Sequence, residues 1–342
     1  MRKKNKKIVA HISPLPVINY SGFTPGTKNI EIPKKHQYIV LKNFSITGEA
    51  PKDIIRLYEY GKTNKKSHKK WPIYIAKFGN KYYPMESVTE QLMTDIGLSY
   101  GFDMAYSKLC LLGGQIRFLS RYFLSEKDEI LFHGADMYAG FLNDDKRFVD
   151  NVEKEKMTQA FFTTDFTKKV FDFFFQDRSN NIYEAFMRML FYDALVGNND
   201  RHMYNWGIVK KIFGTDFVVF SKIYDSARGL LWNRKESKIE LIIKNNQDED
   251  FIRNYCNKSK PKIGIEGKEN INHFELVEYH KDFYQNDEFI RQLFNNSKIF
   301  DVIEVLEKKY RTLMSPRRIY LIKKILIYRY QRINKILFDH EK

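Results

Sequence analysis

Residues 183–207 constrain the fold of this chain more than any other stretch. Between Tyr183 and Leu195, Phe186, Met189, Leu190 and Ala194 recur at helical spacing, with Phe191 and Leu195 beside them. An apolar face this wide suits a helix buried in a core. Gly197 and the Asn198-Asn199 pair end it. After Asp200-Arg201-His202-Met203-Tyr204-Asn205, residues Trp206 to Lys211 read as a strand. Ile212 to Thr215 read as a turn containing Gly214, and Asp216 to Phe220 as the return strand. A turn centred near Phe213 and Gly214 brings the second strand back alongside the start of the first. Tyr224-Asp225-Ser226 then lies close to the loop holding Asp200 and Asn205.

Phosphoryl transfer from a nucleotide needs three groups of this kind. One carboxylate orients the attacking hydroxyl and accepts its proton, while an Asn and an Asp hold magnesium on the phosphates. Asp200, Asn205 and Asp225 fit those roles. Magnesium takes few protein ligands and draws its remaining oxygens from water and phosphate. His202, between Asp200 and Asn205, could act in acid/base chemistry or brace the loop by a hydrogen bond. Asn and Asp are also common in turns, where their side chains bond nearby backbone. The plain alternative is therefore a polar connection between a helix and a hairpin. That alternative accounts for neither the apolar helix in front nor the second Asp behind.

Upstream, Trp71 to Lys77 reads as a strand, with Ile73, Ile75 and Lys77 on one face. After a turn at Gly79-Asn80, a helix is predicted over about 87–100, with Val88, Leu92 and Ile96 on its buried stripe. Ser87-Val88-Thr89-Glu90 also reads as a capping box, in which Glu90 bonds the Ser87 amide. A glycine-bearing turn lets backbone N–H groups approach phosphates. Gly61 to Lys70, between a strand at Asp53 to Tyr60 and the Lys77 strand, is one such loop, with one glycine and five lysines. Ser21 to Lys28 is its rival. A lysine-rich turn is also what a solvated, mobile loop looks like.

The segment Leu195 to Gly207, with Tyr224-Asp225-Ser226, resembles the catalytic loop and metal-binding element of the HipA-like serine/threonine kinases. The likeness is greatest to the short CtkA-type members. It rests on the Asp-x-His-x-x-Asn core and the later Tyr-Asp, is strong over Phe186 to Leu230, and is moderate over Trp71 to Ala105. It implies a catalytic Asp200 with His202 beside it, and magnesium ligands Asn205 and Asp225. Lys77 looks like the family's nucleotide-binding lysine and Glu90 like its partner, with Glu86 one turn earlier as the fallback. Gly61 and Lys65 would then touch the nucleotide, and Ser67 or Thr63 would be autophosphorylated. The implied cofactors are ATP and Mg2+. The implied partners are a protein substrate with a Ser or Thr hydroxyl and an antitoxin.

The resemblance implies an α+β, two-lobed protein-kinase-like fold. Strands expected at Gln37 to Ile46, Asp53 to Tyr60, Trp71 to Lys77 and Gln115 to Phe123 place a small strand-rich nucleotide lobe over residues 1–124. Helices are expected to dominate the catalytic lobe over 125–342, with Leu124 to Glu129 as the hinge. Asp301 to Met314 and Pro316 to Leu337 read as amphipathic helices. The latter carries Arg317, Lys323, Lys324, Arg329 and Arg332 on faces expected to meet solvent. With 342 residues, 43% of them hydrophobic, the chain can bury a large core. Its net charge of +16 attracts polyanions, but solvated lysine clusters account for much of it. Cys110 and Cys256 have no close partner in sequence, as expected of reduced thiols in a cytoplasmic protein. No apolar run approaches a membrane span, and delivery by a specialised secretion system is compatible with that. The alternatives are a pseudokinase scaffold, a basic nucleic-acid-binding protein, or a kinase acting on a lipid or small molecule.

Overall fold

A computed structural model describes residues 12–42, 51–125, 128–213 and 217–339. Five strands form an antiparallel sheet in the order β1-β2-β3-β5-β4. They are β1 (Tyr38–Val40), β2 (Lys52–Leu57), β3 (Ile73–Lys77), β4 (Ser107–Leu112) and β5 (Gln115–Arg121). Helix α1 (Met85–Tyr100) follows β3 and packs on β4 and β5. The expected strand at 37–46 is short, and residues 43–50 lie outside those described. β4 was not foreseen. It pairs with β5 through Gly113 and Gly114, both at positive φ (61° and 75°). A two-residue turn of that kind is the one that matches strand twist, and the Gly-Gly pair was its signal.

The remainder is mostly helical, as expected, around a second small sheet. β6 (Glu129–His133), β7 (Gly207–Lys211) and β8 (Val218–Phe220) form a second antiparallel sheet, β7 at its centre. β6 stands where the hinge was expected to end and helices to begin. Around this sheet lie α2 (Gly134–Phe141), α3 (Lys146–Lys154), α4 (Thr158–Phe161), α5 (Thr164–Phe175) and α6 (Ser179–Val196). Beyond it come α7 (Glu236–Lys244), α8 (Asp248–Asn257), α9 (His273–Tyr279), α10 (Lys281–Asn286), α11 (Glu288–Asn295), α12 (Ile299–Lys309) and α13 (Pro316–Phe338).

α6 starts one turn earlier than predicted, and from Phe186 to Val196 every residue but Arg188 is buried. It is the axis of a core that also takes in Val88, Leu92 and Ile96 of α1, Leu306 of α12 and Ile325 of α13. The outer face of the first sheet has its own small cluster, including Ile12, Ile55 and Leu119. The main core thus crosses position 124, although the two sheets lie on either side of it. On α13, Arg329 is buried rather than solvent-facing. Its Nε donates to the Ala194 carbonyl at 2.6 Å. A cation there meets the carbonyl end of α6, where the helix dipole favours it. Residues this deep hold the C-terminus of α6, and with it the loop that follows.

Candidate active site

α6 ends at Gly197, whose φ of 67° lets the chain turn sharply. The loop beyond it is organised by Arg201, which is 1% exposed. Its Nε and Nη2 donate to the two oxygens of buried Asp193, both at 2.8 Å. Its Nη1 donates to the carbonyls of Asn205 (2.9 Å) and Tyr224 (2.6 Å), and Nη2 also reaches Ser226 Oγ at 2.7 Å. One guanidinium therefore ties the helix end, the Asp200–Asn205 loop and the Asp225 segment together. Planar, many-donor geometry is what an arginine brings to such a junction. The Asn205 side-chain amide donates to the Asp200 carbonyl at 2.8 Å, which fixes that side chain within the loop.

Asp225 sits at φ 54°. Its segment is anchored beneath the first sheet, where Ile223 N–H donates to Asp103 O at 2.8 Å and Ala105 N–H to Ile223 O at 2.9 Å. There Asp225 meets Lys77 from the end of β3. Lys77 Nζ lies 2.7 Å from Asp225 and 2.9 Å from Glu90 of α1. Lys52 stands opposite Lys77 in the β2–β3 register. Burial, and then the Lys77 charge, push the Lys52 pKa down. On the far side of the loop, Arg228 Nε lies 3.0 Å from Asp200 Oδ2.

Burial disfavours the Lys77 ammonium, but Asp225 and Glu90 outweigh it and hold its pKa above the ordinary lysine value. Burial likewise pushes Asp225 up, yet Lys77, by charge and hydrogen bond, holds it below the usual carboxylate range. Glu90 goes the other way, raised chiefly by burial and further by the Asp225 charge. Burial raises Asp200, with Arg228 opposing. Burial also lowers the His202 pKa, and its Nδ1 accepts the Tyr204 amide at 3.3 Å. His202 thus has the geometry of a loop brace.

The family model of the HipA-like C-terminal domain matches residues 44–282. The chain belongs to that family. Among solved structures, the Helicobacter pylori proinflammatory kinase CtkA is similar to this HipA-like chain with a TM-score of 0.64. That match has 14% identity and covers 87% of this chain and 93% of that one. Identity this low makes the likeness one of fold. HipA of Shewanella oneidensis MR-1, solved with HipB and operator DNA, gives a TM-score of 0.43 at 11% identity, over 85% and 65% of the two chains. A search of curated protein sequences found no match.

In this HipA-like chain the structure brings Lys77, Glu90, Asp225, Asn205, Asp200 and His202 together. It corrects four sequence readings. The capping box does not form: α1 begins at Met85, Ser87 Oγ accepts the Gly79 amide at 3.2 Å, and Glu90 turns to Lys77. Glu86 is not the lysine's partner, because its carboxylate accepts the Lys81 and Tyr82 amides at 3.1 and 3.2 Å. Gly61 to Lys70 does not reach these site residues. β2 and β3 are antiparallel with Lys52 opposite Lys77 and Arg56 opposite Ile73, so the connection through Gly61, Thr63, Lys65 and Ser67 joins their other ends. Four residues of strand, roughly 14 Å, separate that loop from Lys77. The connection at the Lys77 end is 41–51, most of which lies outside the described residues. Ser21 to Lys28 packs on the helical side, where the Ser21 carbonyl accepts Glu236 N–H and Gly26 N–H donates to Thr312 O.

Arg201 and Lys52 escaped sequence reading. Arg201 sits inside the recognised loop, but its partner Asp193 is a helix residue whose burial no local pattern announces. Lys52 had one available signal, its place directly before the strand predicted at Asp53 to Tyr60.

Proposed function

We propose that this chain is a magnesium-dependent protein kinase that transfers the γ-phosphoryl group of ATP to a serine or threonine hydroxyl. Residues 1–124 supply its nucleotide side and 125–342 its catalytic side. One observation carries the reading: Lys77 bridges Glu90 and Asp225, while Arg201 binds the Asp225 segment to the loop of Asp200 and Asn205. A structural ion pair alone gives no reason for that convergence.

Each residue has a defined task. Phe123, whose ring lies 5.7 Å from that of Tyr224, marks where the chain passes from the first sheet to the second. Adenine would lie beside this segment. Lys77, kept charged by two carboxylates, would contact phosphate oxygens through charge-assisted hydrogen bonds. Glu90 fixes the direction of Lys77. Asn205 and Asp225 offer an amide oxygen and a carboxylate, both hard donors suited to magnesium. Bound between them, magnesium would supply positive charge to offset that of the phosphates. Among the described residues no group of three His, Cys, Asp or Glu side chains converges to hold an ion unaided. A site completed by phosphate and water is in keeping with that. Asp200 would accept the proton of the acceptor hydroxyl as its oxygen bonds to the γ-phosphorus and the bond to the ADP oxygen breaks. Burial raises the basicity of that carboxylate and Arg228 restrains it.

Cys110 and Cys256 are free and buried. Among the described residues no helix is long and apolar enough to cross a membrane. The free thiols are in keeping with a cytoplasmic place of action. The test is labelled ATP with magnesium, using the protein alone and with cell extract. Asp200→Asn is expected to cut transfer by roughly 10²–10⁴-fold while ATP binding is retained. Equal labelling by both proteins would overturn the reading. Label on the kinase itself would establish autophosphorylation.

A further inference from the structure

The lysine-rich connection between β2 and β3 lies at the end of those strands away from Lys77, so its charge is available to another ligand. We propose that this pole of the first sheet binds single-stranded nucleic acid. Lys62, Lys65, Lys66, Lys69 and Lys70 would pair with phosphates, and Tyr60 and His68 would present ring faces to bases.

The connection is built rather than slack. Trp71 is 1% exposed and its Nε1 donates to the Asn64 carbonyl at 2.9 Å. The rings of Tyr58 and His68 lie 5.5 and 4.5 Å from it. Thr63 Oγ1 closes the turn by bonding the Glu59 carbonyl at 3.1 Å, and His68–Lys70 form a 3-10 turn. All five lysines point outward and are exposed. Among the described residues none of them makes an ion pair. The carboxylate of the loop, Glu59, is engaged by the Tyr74 hydroxyl. Exposed Lys34, Lys35 and His36 join the same end, because Tyr58 N–H donates to Gln37 O at 2.8 Å.

Seven lysines held at one pole repel one another, and a polyanion relieves that repulsion while releasing its own counterions. Charge alone would suit any polyanion. Tyr60 narrows the choice. It is 91% exposed in the middle of the cluster, so its ring lies open to solvent. Aromatic faces among lysines are how proteins hold unpaired bases, which a duplex hides within its stack.

The experiment is fluorescence anisotropy of the full chain with labelled single-stranded DNA and RNA 20-mers of mixed sequence. Binding is expected to weaken with salt, with a log–log slope of about −3 if four phosphates are neutralised. Reversing Lys65, Lys66, Lys69 and Lys70 to Glu is expected to abolish it. Tyr60→Ala is expected to weaken it about tenfold. Reversing exposed Lys308, Arg311, Arg332 and Lys335 to Glu is the control for net charge and should leave most of the binding. Thermal melts establish that each variant is folded. The proposal is overturned by absence of oligonucleotide binding, by binding that survives the pole reversal, or by equal loss in the control. Duplex DNA or anionic vesicles bound as tightly as the single strand would overturn it too. None of these readouts depends on phosphoryl transfer, so the proposal and the kinase reading fail separately.

Discussion

Arg201 and Asp193 form the pair on which the site geometry turns, and both side chains are 1% exposed. Breaking a buried ion pair strands one charge, at a cost of about 3–5 kcal/mol, whereas removing both partners costs less. Asp193→Asn or Arg201→Met should therefore each lower urea stability by about that amount. The double variant should lose less than the sum of the two, and strict additivity in a double-mutant cycle would contradict the coupling. A second prediction concerns pH. His280 is held neutral, its pKa lowered to about 4 chiefly by burial with Asp165 opposing, and its Nε2 meets Thr164 Oγ1 at 2.9 Å. Its pKa in the unfolded chain is near 6.5, so below that value the unfolded state binds the extra proton. The stabilisation is complete above pH 6.5 and is lost as pH falls toward 4. His280→Gln should flatten part of the decline in stability between pH 7 and pH 5 in urea titrations. An unchanged slope would rule out His280 as its source.

The elements around the site meet at close quarters. α2 begins at Gly134, where a Cβ would lie 2.3 Å from Trp206 Cζ2. Trp206 follows Asn205 directly and packs on Phe186 of α6 and Phe220 of β8, with ring centroids 5.0 and 6.1 Å away. A methyl at Gly134 must therefore push the indole or the helix. Gly134→Ala should cost about 1–3 kcal/mol, the usual range for overpacking, and should lower transfer through displacement of Asn205. Chemical unfolding and single-turnover rates would measure the two effects. Full stability and full activity in the variant would mean that the contact relaxes freely. β6 belongs to the same scale. Its residues alternate between half-exposed and exposed, so its apolar content is that of a sheet edge.

Across the whole molecule, α1 belongs to the helical core although its Glu90 pairs with Lys77 of the first sheet. The Tyr192 hydroxyl donates to the Met93 carbonyl at 2.8 Å, and Lys309 lies 2.6 Å from Asp95. Amides in a shared core open together. Hydrogen exchange should accordingly protect the middle of α1 as strongly as α6, while β1 and β2, over the smaller cluster, exchange faster. Protection of α1 that tracked β2 instead would indicate two independent lobes.

Much of this was legible in the residues themselves. The apolar period of α6, the stop at Gly197, the hairpin behind Asn205 and the alternation ending at Lys77 are local patterns, and local patterns report local structure. Tertiary structure alone decided which connection reaches the Lys77 end of the sheet. Strand direction and register set that choice, and both depend on pairings between distant residues. The antiparallel register of Lys52 with Lys77 sends Gly61 to Lys70 to the opposite pole, whatever its lysines suggest. Glu90 and Glu86 share one helix face in sequence, and only the position of the Lys77 ammonium relative to α1 separates them. Arg329 reads as surface charge until the helices around it close, and the burial of Arg201 is no more legible. Their burial is a property of packing, where carbonyls from separate segments converge and a guanidinium is the side chain that can satisfy them.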